Sequence, residues 1–374
     1  MDLHQKLLID ALRSAVTGTP CQLPPQVDWQ AFSDFAAFHN VQALAWSGLQ
    51  NAQIPEPVEK GLRMAYNLAI YRDSQLEYTK AQLAARLEAA NIPHIFLKGA
   101  VLKYDYPIPA LRTMTDLDVL VHTEDYPTID QVAQDLGGQL YRGDGNHRNF
   151  LFPGGVKVEF HPNLLHHATP VAAGVNPGWQ YAQGNHLTEE GFYLCILAHI
   201  AEHFVSGGIG VRFLLDIWVF QNRRKEPMDR AFVERELKKF GILEFVRNLE
   251  TLSRVWFDGA PATAVTEELG DYILTSGIHG LEKREMLNAV SISGGRAGAL
   301  WRKAFYPRKE LEDRYPWAKG KPLLLPAAWC CRAFRAVTRR GDQIRNWHKG
   351  TGSFTRKQIK EQQQKLKRFG IQWK

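Results

Sequence analysis

The residues best suited to chemistry are the carboxylates of Thr115-Asp116-Leu117-Asp118-Val119-Leu120-Val121. Residues two apart in an extended strand share a face, so Asp116 and Asp118 project together while Leu117, Val119 and Val121 turn to the core. Two carboxylates held that close repel unless a cation lies between them. A hard divalent ion is the natural occupant, and Mg²⁺ takes one or two carboxylates and completes its shell with phosphates and water. A bare Asp-x-Asp is equally the solvated face of an edge strand. A second run, Val156-Lys157-Val158-Glu159-Phe160-His161, shows the same alternation, with Lys157, Glu159 and His161 on one face. Set beside the first strand, Glu159 supplies a third carboxylate. Three would serve a pair of metals clamping the attacking and leaving oxygens of an in-line phosphoryl or nucleotidyl displacement. Lys98-Gly99 ends a short apolar run and opens an expected helix; such a junction offers backbone N–H groups to a phosphate, and Lys98 adds a point charge.

The elements that must position these groups follow from periodicity. Residues 94–97, 116–121, 148–152 and 156–161 read as strands, the last two forming a hairpin across Pro153-Gly154-Gly155. Residues 125–136 read as a helix ending at Gly137-Gly138. Before them, Leu3, Leu7, Leu8 and Leu12 keep helical spacing, and Trp29, Phe32, Phe35 and Phe38 form a second stripe. A Pro-marked break at 54–57 precedes a long amphipathic run to about residue 90, rich in helix formers. From residue 188 the pattern is helical again, with further helices expected at 212–220, 327–337 and 356–368. The expected class is α+β: an N-terminal helical region (1–90), a small mixed sheet (91–170), a helical domain completing the cleft (171–300) and a basic helical tail (301–374).

The 374 residues carry a formal charge of +7, but unevenly. Residues 301–374 hold 20 Lys and Arg against 5 Asp and Glu, whereas the preceding 300 hold 26 against 34. A basic tail can touch nucleic acid, a membrane surface or an acidic partner. Its aromatic residues Trp301, Phe305, Trp317 and Trp329 interleave with Arg and Lys, which suits single-stranded nucleic acid. The favoured reading is a helical lid whose rings pack on the body and whose charges face water. The longest apolar runs, 191–201 and 323–331, fall short of the ~20 residues a membrane helix needs. The N-terminus lacks the basic and apolar segments of a secretory signal. Four cysteines form neither a disulfide ladder nor a Cys-x-x-Cys knuckle. The expectation is a reduced, cytoplasmic protein.

Other constellations compete less well. His199-Ile-Ala-Glu202-His203 fits the His-x-x-Glu-His pattern of a zinc site, but no downstream acidic ligand stands out, and ordinary packing or positioning of a substrate are the alternatives. Gly207-Gly-Ile-Gly210 lacks the strand–turn–helix setting of a dinucleotide fingerprint. Arg212, next to it, either reaches a phosphate or lies on a helix surface. Cys195, Cys330 and Cys331 read as small apolar residues.

The ordered set Leu97-Lys98-Gly99, Tyr106-Pro107, Arg112, Asp116-Leu-Asp118-Val-Leu-Val and Val158-Glu159-Phe-His161 resembles the uncharacterised bacterial nucleotidyltransferase family of the polymerase-β-like superfamily. The motif-bearing likeness covers about residues 90–167, and a weaker one includes His199, His203, Arg212 and Asp216. The resemblance implies a nucleotidyltransferase palm in which Asp116, Asp118 and Glu159 hold Mg²⁺ at a two-metal site. It also implies an NTP donor, ATP being expected, bound by Lys98, Gly99, Arg112 and His161. The acceptor would be a small hydroxyl compound, a protein or an RNA end. Two positions depart from the superfamily: Ala100 stands where serine is usual, and Glu159 where aspartate is common. The missing hydroxyl leaves a second reading, a catalytically silent palm that senses nucleotides or binds proteins.

Overall fold

The computed structural model describes residues 1–373 apart from 144–146, 166–170, 278–279, 306–307, 309–310 and 313–314; the expected sheet limit at residue 170 lies outside the described residues. Four helices come first: α1 (Leu3–Thr17), α2 (Trp29–Phe38), α3 (Gln42–Gly48) and the 34-residue α4 (Glu56–Ala89). Asp2 and Asp28 cap α1 and α2 through their side chains, satisfying backbone donors that a helix start leaves unpaired. Pro57 opens α4, where its missing N–H costs nothing.

The sheet follows: β1 (His94–Phe96), the single turn α5 (Gly99–Leu102), β2 (Asp116–Val121), α6 (Tyr126–Asp135), β3 (Gln139–Gly143), β4 (Arg148–Phe152) and β5 (Val156–His161). Its order is β1-β2-β5-β4-β3, with β2 and β5 parallel and the other pairs antiparallel. The β4–β5 link is a hairpin through Gly154 and Gly155, both at positive φ. One face of the sheet buries Leu117, Val119, Val121, Val156, Val158 and Phe160 against α4 and α6, through Leu76, Leu83, Leu87, Ile129 and Ala133. The other face carries the polar set and looks toward the later helices.

Those are α7 (Glu189–Val205), α8 (Val211–Arg223), α9 (Arg230–Phe240), α10 (Leu243–Phe257), α11 (Ala264–Leu274), α12 (Glu282–Ile292), α13 (Arg296–Ala304), α14 (Leu325–Gly352) and α15 (Arg356–Arg368), with a two-stranded β6–β7 ribbon (Ala182–Gln183, His186–Leu187) before α7. Leu8, Leu12 and Phe32 from the first helices share one apolar core with Leu194, Phe204, Leu214 and Phe245. Leu366, Phe369 and Ile371 return to the same core. The Phe369 ring lies 5.9 Å from Phe204 and 5.5 Å from Tyr272, centroid to centroid. The tail aromatics depart from expectation. They gather on one another, Trp301–Phe305 at 4.1 Å and Phe305–Trp329 at 5.7 Å, and Trp301 stays 64% exposed. Among the described residues no helix is long and apolar enough to cross a membrane, and the four cysteines are free thiols.

Candidate active site

Strand pairing builds the site. Parallel β2 and β5 are in register Asp116↔Lys157 and Asp118↔Glu159. The pleat then puts Asp116, Asp118, Glu159 and His161 on the face opposite the palm core. Asp118 is the hub. Its Oδ1 receives Lys98 Nζ at 2.9 Å and lies 3.2 Å from His161 Nε2. His161 Nδ1 sits 2.6 Å from Asn163 O, which fixes the ring. Asp116 Oδ1 accepts from Thr115 at 3.2 Å. Glu159 Oε1 accepts from Asn149 Nδ2 at 2.9 Å, across the β4–β5 register. Asn149, buried on β4, was not singled out from sequence; a polar residue between Arg148 and Phe150 was its one signal.

Electrostatics divides the carboxylates. Burial acts to raise Asp118, but the Lys98 ammonium and the His161 bond overcome it and hold the group far below the usual carboxylate range. Burial and the Asp118 charge push Asp116 up, and burial with the Asp116 and Asp118 charges pushes Glu159 up. Lys98 is likewise pulled down by burial and carried above its ordinary value by Asp118. Three carboxylates on one face, with Lys98 the one cation paired to them among the described residues, suit a hard divalent cation. Asp118 meets its present partners through one oxygen only. Among the described residues, however, no group of three or more His, Cys, Asp or Glu is closed around an ion position.

The Lys98 junction differs from its expectation in one respect. The helix after Gly99 is four residues long, too short to present a dipole end. Lys98 itself carries the strain, with φ at 50°, a backbone state that costs a non-glycine residue of order 1–3 kcal/mol and clusters at functional sites. Gly99 is required by contact: a Cβ there would land on Arg112 Nη1 and press Met114 Sδ.

Arg112, 7% exposed, gives Nε and Nη2 to Asp216 at 3.1 and 2.8 Å. Tyr106 donates its hydroxyl to the same carboxylate at 2.6 Å, and Asp216 is 2% exposed. Three residues of the resemblance, 110 positions apart at the extremes, thus form one buried knot between the loop before β2 and helix α8. Arg212, in the first turn of α8, donates to the Thr113 carbonyl, and its Nε is buried without a hydrogen bond. Burial and the Arg112 charge lower Arg212 to about 10.

Two lobes of a cleft meet at Lys98, Thr115, Asp116, Asp118, His199 and Arg212. The larger, about 450 Å³, runs along Glu159 and His161 to His147, Glu202 and His203. The smaller, about 90 Å³, is walled by Asn40, Gly99, Arg112 and Asp216. The His199-x-x-Glu-His203 helix face therefore looks into the cleft: the two rings are 4.3 Å apart, and His199 Nδ1 is 4.0 Å from Glu202. Burial and the Lys98 charge hold His199 well below the ordinary histidine value.

A family model described as an uncharacterised nucleotidyltransferase matches residues 25–258, a stretch that includes every residue of this cleft. Neither a curated protein nor a solved structure matches the chain.

Proposed function

Because the chain belongs to the uncharacterised nucleotidyltransferase family, we propose that it moves an NMP group from an NTP, with ATP first among donors, to an acceptor, releasing pyrophosphate with the help of Mg²⁺. The observation that carries this reading is the Asp118↔Glu159 register with Asp116 on the same face, open to the larger lobe. Asp116, Asp118 and Glu159 would hold the metal. Mg²⁺ at such a site supplies charge neutralisation for the phosphates and lowers the cost of forming an oxygen nucleophile. The chain's own groups do the remainder. Lys98 and Arg112 offer cations to the phosphates, and His161, with Nε2 on Asp118 and Nδ1 on the Asn163 carbonyl, keeps Asp118 oriented. Glu159, its Oε1 held by Asn149, takes the acceptor hydroxyl proton at Oε2. The acceptor oxygen bonds to the α-phosphorus as the bond to the bridging oxygen breaks, and that electron pair leaves with pyrophosphate. The expected setting is the cytoplasm.

The test is incubation with each α-³²P-labelled NTP and Mg²⁺, with and without cell extract, beside Asp116→Ala/Asp118→Ala. Label transferred to a product and lost in the variant supports the reading, and product size separates a small hydroxyl compound, a protein or an RNA end. The silent palm is favoured by one observation, that Asp118 already holds Lys98 and His161 on its Oδ1. Aspartate-dependent nucleotide binding without transfer selects it.

A further inference from the structure

We propose that the smaller lobe seats the two terminal phosphates of the donor, which leave as pyrophosphate, and that Arg212 is the side chain that binds them. The proposal rests on the nucleotidyl-transfer reading of the same cleft.

Size restricts the occupant. At about 90 Å³, a fifth of the larger lobe, and with ~30 Å³ as one water's share of liquid volume, the lobe holds about three waters. That suits a diphosphate and is too little for a nucleoside. Charge names its chemistry. Three cations face the lobe, Lys98, Arg112 and Arg212. Lys98 is matched by Asp118 and Arg112 by Asp216. Arg212 has no carboxylate partner among the described residues: its one hydrogen bond goes to the neutral Thr113 carbonyl, and its Nε is buried and unbonded. A half-buried guanidinium beside a second guanidinium, with Asp216 and Asp116 acting on it only from beyond ion-pair distance, is incompletely neutralised. An anion reaching between them supplies the missing charge, and the planar fork suits phosphate oxygens. The larger lobe is poorer ground for a polyphosphate. Beyond the shared residues it adds Glu159 and Glu202, with no Lys or Arg of its own among the described residues.

The direction of the reaction follows. Asp116 and Asp118 stand where the lobes join, so the α-phosphate lies there. In-line displacement puts the attacking oxygen opposite the leaving one. With pyrophosphate in the smaller lobe, nucleoside and acceptor occupy the larger, which also holds Glu159.

The experiment is calorimetric titration of the full chain, with Mg²⁺, using inorganic phosphate, pyrophosphate, AMP and the α,β-methylene analogue of ATP, in wild type, Arg212→Gln, Arg212→Lys and the surface control Arg63→Gln. Arg212→Gln should weaken pyrophosphate and the ATP analogue by about tenfold or more, the loss of a charged contact, and AMP by less than about twofold; Arg212→Lys should fall between. Wild-type pyrophosphate affinity in Arg212→Gln, no pyrophosphate binding by the wild type, or an equal loss for AMP would each overturn the proposal. Pyrophosphate binding that depends on Arg212 in a chain that transfers no label keeps the seat and removes the transferase reading.

Discussion

Replacing Asp216 with alanine tests the buried knot that ties the palm to the helices. Asp216 is 2% exposed and accepts two bonds from Arg112 and one from Tyr106. Its loss strands a guanidinium that is itself 7% exposed. Removing one partner of a buried ion pair costs about 3–5 kcal/mol, and an orphaned hydroxyl adds about 1 kcal/mol or more. Arg212 already stands close enough to feel the Arg112 charge, so the unmasked repulsion moves the total toward the upper end, about 4–6 kcal/mol. The pair's net worth is a separate quantity. An apolar replacement of the whole knot (Arg112→Met, Asp216→Leu, Tyr106→Phe) removes charge and counter-charge together and should lie within about 2 kcal/mol of wild type. Urea denaturation followed by far-ultraviolet circular dichroism measures both. A single variant losing under about 1 kcal/mol, or a triple variant no more stable than the single one, would refute the reasoning.

Three further outcomes are expected. Gly99→Ala drives a methyl group into Arg112 Nη1; displacing that side chain should weaken binding of an NTP analogue by about tenfold at a stability cost of about 1–3 kcal/mol, read by calorimetry and by melting. Gly48→Ala sets a Cβ against the Ala11 carbonyl where α3 crosses α1, and should cost about 2–3 kcal/mol with nucleotide binding unchanged. His39 is fully buried, accepts from Val211 N–H at Nδ1 and faces Leu274 O with Nε2; burial lowers it from 6.5 to about 4. Below pH 6.5 the unfolded chain therefore binds a proton that the folded one refuses. Stability should fall between pH 6.5 and 4 by about 3 kcal/mol and be untouched by this group above pH 6.5. Denaturation midpoints across pH check it, and a His39→Gln variant with an undiminished slope would place the effect elsewhere.

Much of the fold is legible because it rests on local period. Strict alternation marks β2 and β5 and names their two faces, and the apolar stripes mark α1, α2 and α4 to within a few residues. Pairing is harder to read. That β5 lies parallel to β2, bringing Glu159 opposite Asp118, depends on a sheet order that crosses the 34 residues between Val121 and Val156 and has no local signature. Strand β3 escapes notice because it is an edge: Leu140 and Tyr141 are exposed, so no buried face imprints an alternation. The length of α5 is hidden for another reason. Nothing after Gly99 forbids a longer helix until Pro107, yet at Leu102 the chain tightens into a 3-10 turn, Lys103–Asp105, whose buried Lys103 pairs with Asp73 and Glu77 on α4. The Arg112–Asp216 pair spans 104 positions and joins a loop to a helix; an isolated Arg and Asp carry no mark of each other. Arg212 is visible in the sequence, yet its one hydrogen bond, to the Thr113 carbonyl rather than to a carboxylate, is a property of the packed interior alone.

The return of Leu366, Phe369 and Ile371 to the main core bears on how the chain can be divided. The stretch that defines the family ends at residue 258, but the wall behind α7 and α10 is finished by rings more than a hundred positions later. A piece cut at that limit would uncover Phe204 where Phe369 now lies. The segment recognised by similarity is therefore shorter than the packed core, which continues past α15 to Ile371.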